Sequence, residues 1–156
     1  MAAVAIINFT RRPVPRFAYT DVAQAVLGDW DISLVFVGSA RAKKLNLQLR
    51  KKSYVPNVLS YAVGERSGEV FICLEEAARQ APSHDMDERS FVLYLFIHAL
   101  LHLKGWAHGA TMEQWERKLL AQFASKRMRT AHVSENSDRH RHRDLPSKGG
   151  GGRRGR

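Results

Sequence analysis

The sequence predicts an α+β fold: a small mixed sheet of about four strands, helices packed on it, and a central apolar helix. Three observations predict this. Short aliphatic runs of strand length alternate with segments of helical spacing. One run, Phe91 to Leu103, is apolar over 13 residues except for two histidines. It falls short of the roughly 18 residues that span a bilayer, so it reads as a buried helix. After Lys126 the pattern fails and the chain turns polar, Gly-rich and basic.

The elements follow in order. Ala3 to Asn8 reads as the first strand, and Arg11 to Arg16, with Pro13 and Pro15, as a loop. Thr20 to Leu27 has the look of a short helix, and the aliphatic Ile32 to Val37 of a second strand. Ser39 is placed to cap a helix running to about Leu49, with Ala42, Leu45 and Leu49 on its apolar face. Val58–Val63 and Glu69–Leu74 are two more strands, joined by a hairpin through Gly64–Gly68. A short helix at Glu75–Gln80 precedes a loop around Pro82. Asp85 with Glu88 resembles a capping box for the long apolar helix, and Thr111 with Gln114 another for a last helix ending near Ala124.

The expected organisation is therefore a domain over residues 1–124 and a tail over 125–156. Residues 134–156 hold Leu145 as their only aliphatic side chain, too little to offset the entropy of ordering them, so disorder is expected. His140 and His142 read as part of that solvated tail. The net charge of +10 is uneven: the tail carries ten Lys/Arg against three Asp/Glu, residues 1–124 fifteen against twelve. Within the domain, Arg41, Lys43, Lys44, Arg50, Lys51 and Lys52 form an acid-free cluster. A polyanion suits such a cluster, although a solvated helix face has the same composition. Cys73 is the only cysteine. With no disulfide framework, and with the N-terminal charges following rather than preceding the apolar run, a cytoplasmic protein without a membrane partner is expected.

The chemistry concentrates in HALLHLKGWAH, His98 to His108. On a helix, His98 and His102 share one face, about 6 Å apart. Gly105 ends the helix, and the turn after it can return His108 to the same point. Burying imidazoles in so apolar a run is costly unless something binds them. Three histidines leave the fourth tetrahedral position of one Zn²⁺ per chain open to water, the pattern of a catalytic zinc.

These residues resemble the YbeY family of bacterial rRNA-maturation endoribonucleases. The family's histidine motif, HGxLHLxG-x-DH, stands here as HALLHLKGWAH. LNLQLRKKSYVPNVLSY, Leu45 to Tyr61, is similar to its LN…YR…PT-[DN]-VLSF segment, and GEVFIC, Gly68 to Cys73, to its GDI-V-I strand. The resemblance covers about residues 1–124. It implies a metal-dependent endoribonuclease specific for single-stranded RNA, acting on rRNA of the small ribosomal subunit in 16S 3′-end maturation and in ribosome quality control. It implies His98, His102 and His108 as zinc ligands and Arg50 as the functional arginine. The family's Gly after the first ligand is Ala99 here, its Asp before the third is Ala107, its GD pair is Gly68–Glu69, and its PT is Val55–Pro56.

In that reading Arg50 is the catalytic residue, forking a phosphate as charge grows on it. Lys43, Lys44, Lys51 and Lys52 bind the RNA backbone, together with the tail. Asn57 and Ser60 either line the cleft or serve the turn and strand edge. Trp106 either stacks on a base or packs its loop. Two rivals fit the histidines. A zinc metallopeptidase needs a Glu where Ala99 stands. A ribosome-binding or assembly factor with weak catalysis would use zinc to hold a loop, and the missing carboxylate at Ala107 suits it.

Overall fold

A computed structural model describes residues 1–125. The expected tail, with His140 and His142, lies outside the described residues except for Ser125. The elements are β1 (Ala3–Asn8), α1 (Tyr19–Leu27), β2 (Asp31–Val37), α2 (Ser39–Arg50), β3 (Val58–Gly64), β4 (Ser67–Cys73), α3 (Leu74–Gln80), a 3-10 turn (Ala81–His84), α4 (Glu88–Leu103) and α5 (Ala110–Ala124). The fold is α+β, with one mixed sheet in the order β1-β2-β4-β3.

β1 runs parallel to β2 and β2 parallel to β4, with Ile6 opposite Leu34 and Leu34 opposite Val70. β3 is antiparallel to β4 and places Val58 opposite Ile72, as the hairpin predicts. Alternate side chains of a strand face opposite sides of the sheet. Ile32, Leu34 and Phe36 of β2, with Val70 and Ile72 of β4, therefore enter the main core beside α1, α4 and α5. Val35, Val37 and Cys73 enter a second, smaller cluster covered by Ala42 of α2. β2 is buried on both faces over much of its length, which is why its sequence is continuously aliphatic rather than alternating.

Several local expectations change. Ser39 is the first residue of α2 and not its cap; its hydroxyl instead donates to Glu75 Oε1 at 2.6 Å, joining α2 to α3. The buried residues of α2 are Ala42 and Asn46, whereas Leu45 is half-buried and Leu49 is exposed. Asn46 takes the inner place because its Nδ2 donates to the Tyr54 carbonyl at 3.0 Å and ties down the loop after the helix. Lys51 ends α2 in the left-handed region, at φ 60°. Pro82 lies in a 3-10 turn rather than an open loop. Asp85 closes that turn at φ 57°, and the cap of α4 is Asp87, which accepts from the Ser90 N–H at 2.7 Å. α5 starts at Ala110 after Gly109, without a side-chain cap from Thr111.

α4 is the centre of the core. Phe91, Val92, Leu93, Leu95, Phe96, Ile97, Ala99, Leu100 and Leu101 are all buried. At Gly68 a Cβ would stand 3.0 Å from a Leu103 methyl and 3.2 Å from the Tyr61 carbonyl oxygen. The bare backbone there lets the last turn of α4 rest against β4. Among the described residues no helix is long and apolar enough to cross a membrane.

Candidate metal centre

Between Phe91 and Leu101, α4 is buried except along one stripe. Ser90, Tyr94, His98 and His102 are only half-buried, and they recur every four residues. This spacing sets their side chains above one another on one face. Gly105 then turns the chain at φ 101°, which an L side chain adopts only with strain, and the Trp106 N–H closes the turn on the Leu101 carbonyl at 3.1 Å. The turn brings His108 over the stripe. Its ring centre lies 5.0 Å from that of His98 and 4.7 Å from that of His102.

The hydrogen bonds around the rings decide which nitrogens face inward. His98 Nδ1 is 2.5 Å from Glu116 Oε2, and His102 Nδ1 is 3.2 Å from the Trp106 carbonyl oxygen. A carboxylate and a carbonyl only accept, so each Nδ1 carries the hydrogen and donates it. In the neutral rings each Nε2 then holds a lone pair. The two Nε2 atoms face each other at 3.1 Å. Two lone pairs at that distance repel unless a cation lies between them. One ligand nitrogen from each of the three histidines falls within 4.8 Å of the others. A tetrahedral zinc with Zn–N of roughly 2.1 Å sets its ligand nitrogens about 3.4 Å apart, near the 3.1 Å between the His98 and His102 Nε2 atoms. The donor set thus fits one small divalent ion. Burial, with the neighbouring His98 and His108, pulls the His102 pKa down and favours the neutral, ligating form.

The structure brings together His98, His102 and His108, as the spacing predicts. It also supplies a residue that sequence reading missed. Glu116 lies on α5, 18 residues beyond His98, and is 4% exposed. Its signal was present: it shares the inner face of α5 with Met112, Leu119 and Phe123, where a carboxylate is out of place. Its charge and the burial of the ring, burial being the larger cause, raise the Tyr94 pKa. Ala107 is exposed on the turn, and Ala99 is packed in the core with no acidic group where a peptidase needs one. Trp106 packs edge-on against Trp115, with ring centres 6.0 Å apart, which favours its loop-packing role.

Arg50 sits elsewhere, at the end of α2. It lines a groove of about 460 Å³ together with Tyr54, Asn57, Glu76, Arg79 and Gln80, and none of the three histidines lines it. Asn57 Nδ2 donates to Gln80 Oε1 at 2.8 Å, and Gln80 Nε2 to Glu76 Oε2 at 2.6 Å. Arg79 also pairs with the Glu76 carboxylate, so the one acid of the groove is fully engaged. Its neighbour Arg79 first, then Gln80, holds the Glu76 carboxyl below its ordinary range. Asn57 therefore lines the groove, whereas Ser60 stands on the edge strand β3, opposite Val70 of β4. Lys43, Lys44, Lys51 and Lys52 are all exposed. Arg41 of the same cluster lies over the Phe9 ring, 4.5 Å from its centre.

A family model for endoribonuclease YbeY matches residues 12–128. The chain belongs to the YbeY family. The endoribonuclease YbeY of Aromatoleum aromaticum is 29% identical over 121 residues, covering 76% of this chain and 79% of that protein. That of Thiobacillus denitrificans is 32% identical over 112 residues, covering 65% and 76%. That of Mesoplasma florum is 32% identical over 103 residues, and the chain spans 61% of its length. The solution structure of TM1509 from Thermotoga maritima superposes with a TM-score of 0.57 over 77% of this chain and 88% of that one, at 19% identity. The last likeness is one of fold.

Proposed function

We propose that this YbeY-family chain is a zinc-dependent endoribonuclease that cuts single-stranded RNA. We further propose that it acts in the cytoplasm on rRNA of the small ribosomal subunit, in 16S 3′-end maturation and quality control. The observation that carries the metal part is the pair of Nε2 atoms facing each other at 3.1 Å, with both Nδ1 positions already occupied. The RNA part rests on family membership and on the basic edge formed by α2 and the loop after it. The domain doing this work is residues 1–124, with residues 125–156 as a basic RNA-binding extension.

In this reading His98, His102 and His108 hold the ion and leave one position open. Zinc bound there supplies a Lewis acid for a phosphoryl oxygen and a water of lowered pKa. Arg50 forks a phosphate oxygen pair, and its guanidinium has no protein partner among the described residues to compete for it. Tyr54, exposed beside it, offers a ring for a base. Lys43, Lys44, Lys51 and Lys52 follow the backbone by charge.

A second reading has one observation in its favour. The Arg50 groove and the histidine cluster share no lining residue. A ribosome-binding factor with weak catalysis would need no closer coupling. Cleavage of a single-stranded RNA by metal-loaded and chelated protein separates the two. The endoribonuclease predicts cleavage that chelation abolishes and added Zn²⁺ restores. RNA binding without metal-dependent cleavage would leave the assembly factor.

A further inference from the structure

Glu116 combines two properties that its place on α5 does not explain. It is 4% exposed, among apolar neighbours. A buried carboxylate is costly unless paired and hydrogen-bonded. Both of its oxygens are directed at the α4 stripe: Oε2 lies 2.5 Å from His98 Nδ1, and Oε1 accepts from the Tyr94 hydroxyl at 3.5 Å. The two inner ligands are held unequally, since His102 donates to a neutral carbonyl and His98 to a charged carboxylate.

We propose that Glu116 is a positioning residue for the metal: it fixes the His98 ring with Nε2 toward the ion and polarises its Nδ1–H, strengthening His98 as a ligand. Tyr94 steadies Glu116 from the same helix that carries the ligands. The inference rests on the reading of the histidine cluster as a zinc site. A carboxylate behind a ligating imidazole fixes tautomer and orientation, and its loss typically weakens metal binding 10–100-fold. The carboxylate that the family motif sets next to the third ligand is absent at Ala107. Glu116 of α5 sets a carboxylate against His98 instead of beside the third ligand. The metal and the docking of α5 on α4 thereby become linked, because the link runs α5–Glu116–His98–ion.

The test is Zn²⁺ titrated into the metal-free full chain against a chromophoric chelator, for the wild type, Glu116→Gln, Glu116→Ala and Tyr94→Phe. Glu116→Ala should bind about 10–100-fold more weakly. Glu116→Gln should lie between it and the wild type, because an amide carbonyl still accepts from Nδ1–H but carries no charge. Tyr94→Phe should have the smallest effect. The absorption spectrum of Co²⁺-loaded protein should also shift in Glu116→Gln, which a residue that merely packs α5 would not cause. The melting temperature of each metal-free variant reports separately on packing, and the near-isosteric Gln keeps the test open if Ala unfolds. Wild-type Zn²⁺ affinity and an unchanged Co²⁺ spectrum in folded Glu116→Gln would overturn the proposal while leaving the zinc site standing. A wild type that binds no Zn²⁺ would bring down the site itself, and this proposal with it.

Discussion

The histidine stripe of α4 and the basic edge of α2 are built in opposite ways. On α4, the two inner imidazoles stand on a helix whose other faces are buried from Phe91 to Leu101, and each Nδ1 has its own acceptor. Their orientation is therefore fixed by core packing and by hydrogen bonds together. On α2 and the residues after it, Lys43, Lys44, Arg50, Lys51 and Lys52 are exposed, and only Ala42 and Asn46 are buried beneath them. The first region can hold an ion at fixed geometry, because moving a ligand means disturbing the core. The second can offer charge to a flexible polyanion, where long solvated side chains adapt and salt competes. Arg50 is the residue that tests the contrast, since it stands on the exposed edge but in a walled groove.

The largest effect should come from the rigid region. His98→Ala, or the triple change with His102 and His108, should abolish stoichiometric metal by elemental analysis and with it the metal-dependent cleavage of RNA. Metal content equal to that of the wild type would remove the contrast at its root. Next is Arg50→Ala, which should lower the single-turnover rate at saturating RNA by on the order of 10²-fold, the scale of losing one preorganised donor. A wild-type rate at saturation would return Arg50 to the general basic surface. Lys51→Ala, its neighbour, should weaken binding and reduce the salt slope by about 1 while sparing the saturated rate.

Truncation after Ser125 should leave the melting temperature unchanged and make the salt dependence of RNA binding shallower. A large thermal loss would show that residues 126–156 belong to the folded domain. The smallest effect concerns the frame of α4. Asp87→Ala should cost about 1 kcal/mol, the scale of a lost helix cap, read as a lowered melting temperature. The Ser90 N–H holds the Asp87 carboxyl below its ordinary range. Its contribution is therefore complete above the usual aspartate pKa and is lost as the pH falls through the lowered folded value. Asp87→Ala should abolish that part of the acid destabilisation.

The sequence by itself determined the type and order of nearly every element. The strands are short and aliphatic, the long helix is apolar from Phe91 to Leu103 except for its two histidines, and Gly105 stands where the chain must turn, so these local preferences agreed with the final structure. It also determined His98 and His102, because spacing of four on a helix is a local fact that needs no knowledge of the rest of the fold, and Gly105 marked the turn that returns His108. Helix starts were less legible: Asp85 reads as the start of α4 in the sequence, but the 3-10 turn ends on it and the cap falls to Asp87. The apolar face of α2 was misread at Leu49, because a buried Asn46 anchoring the Tyr54 loop overrode hydrophobic periodicity.

Only the tertiary structure decided what lies behind the three histidines. Glu116 is distant in sequence and meets His98 because α5 folds back along α4, a contact that no local pattern encodes. The same holds for the groove at Arg50, whose walls come from α2, the loop before β3, and α3. Ligands on one helix are set by that helix's geometry, whereas the partners that orient them and the walls of a groove come from chain segments that only the packing of the core brings together.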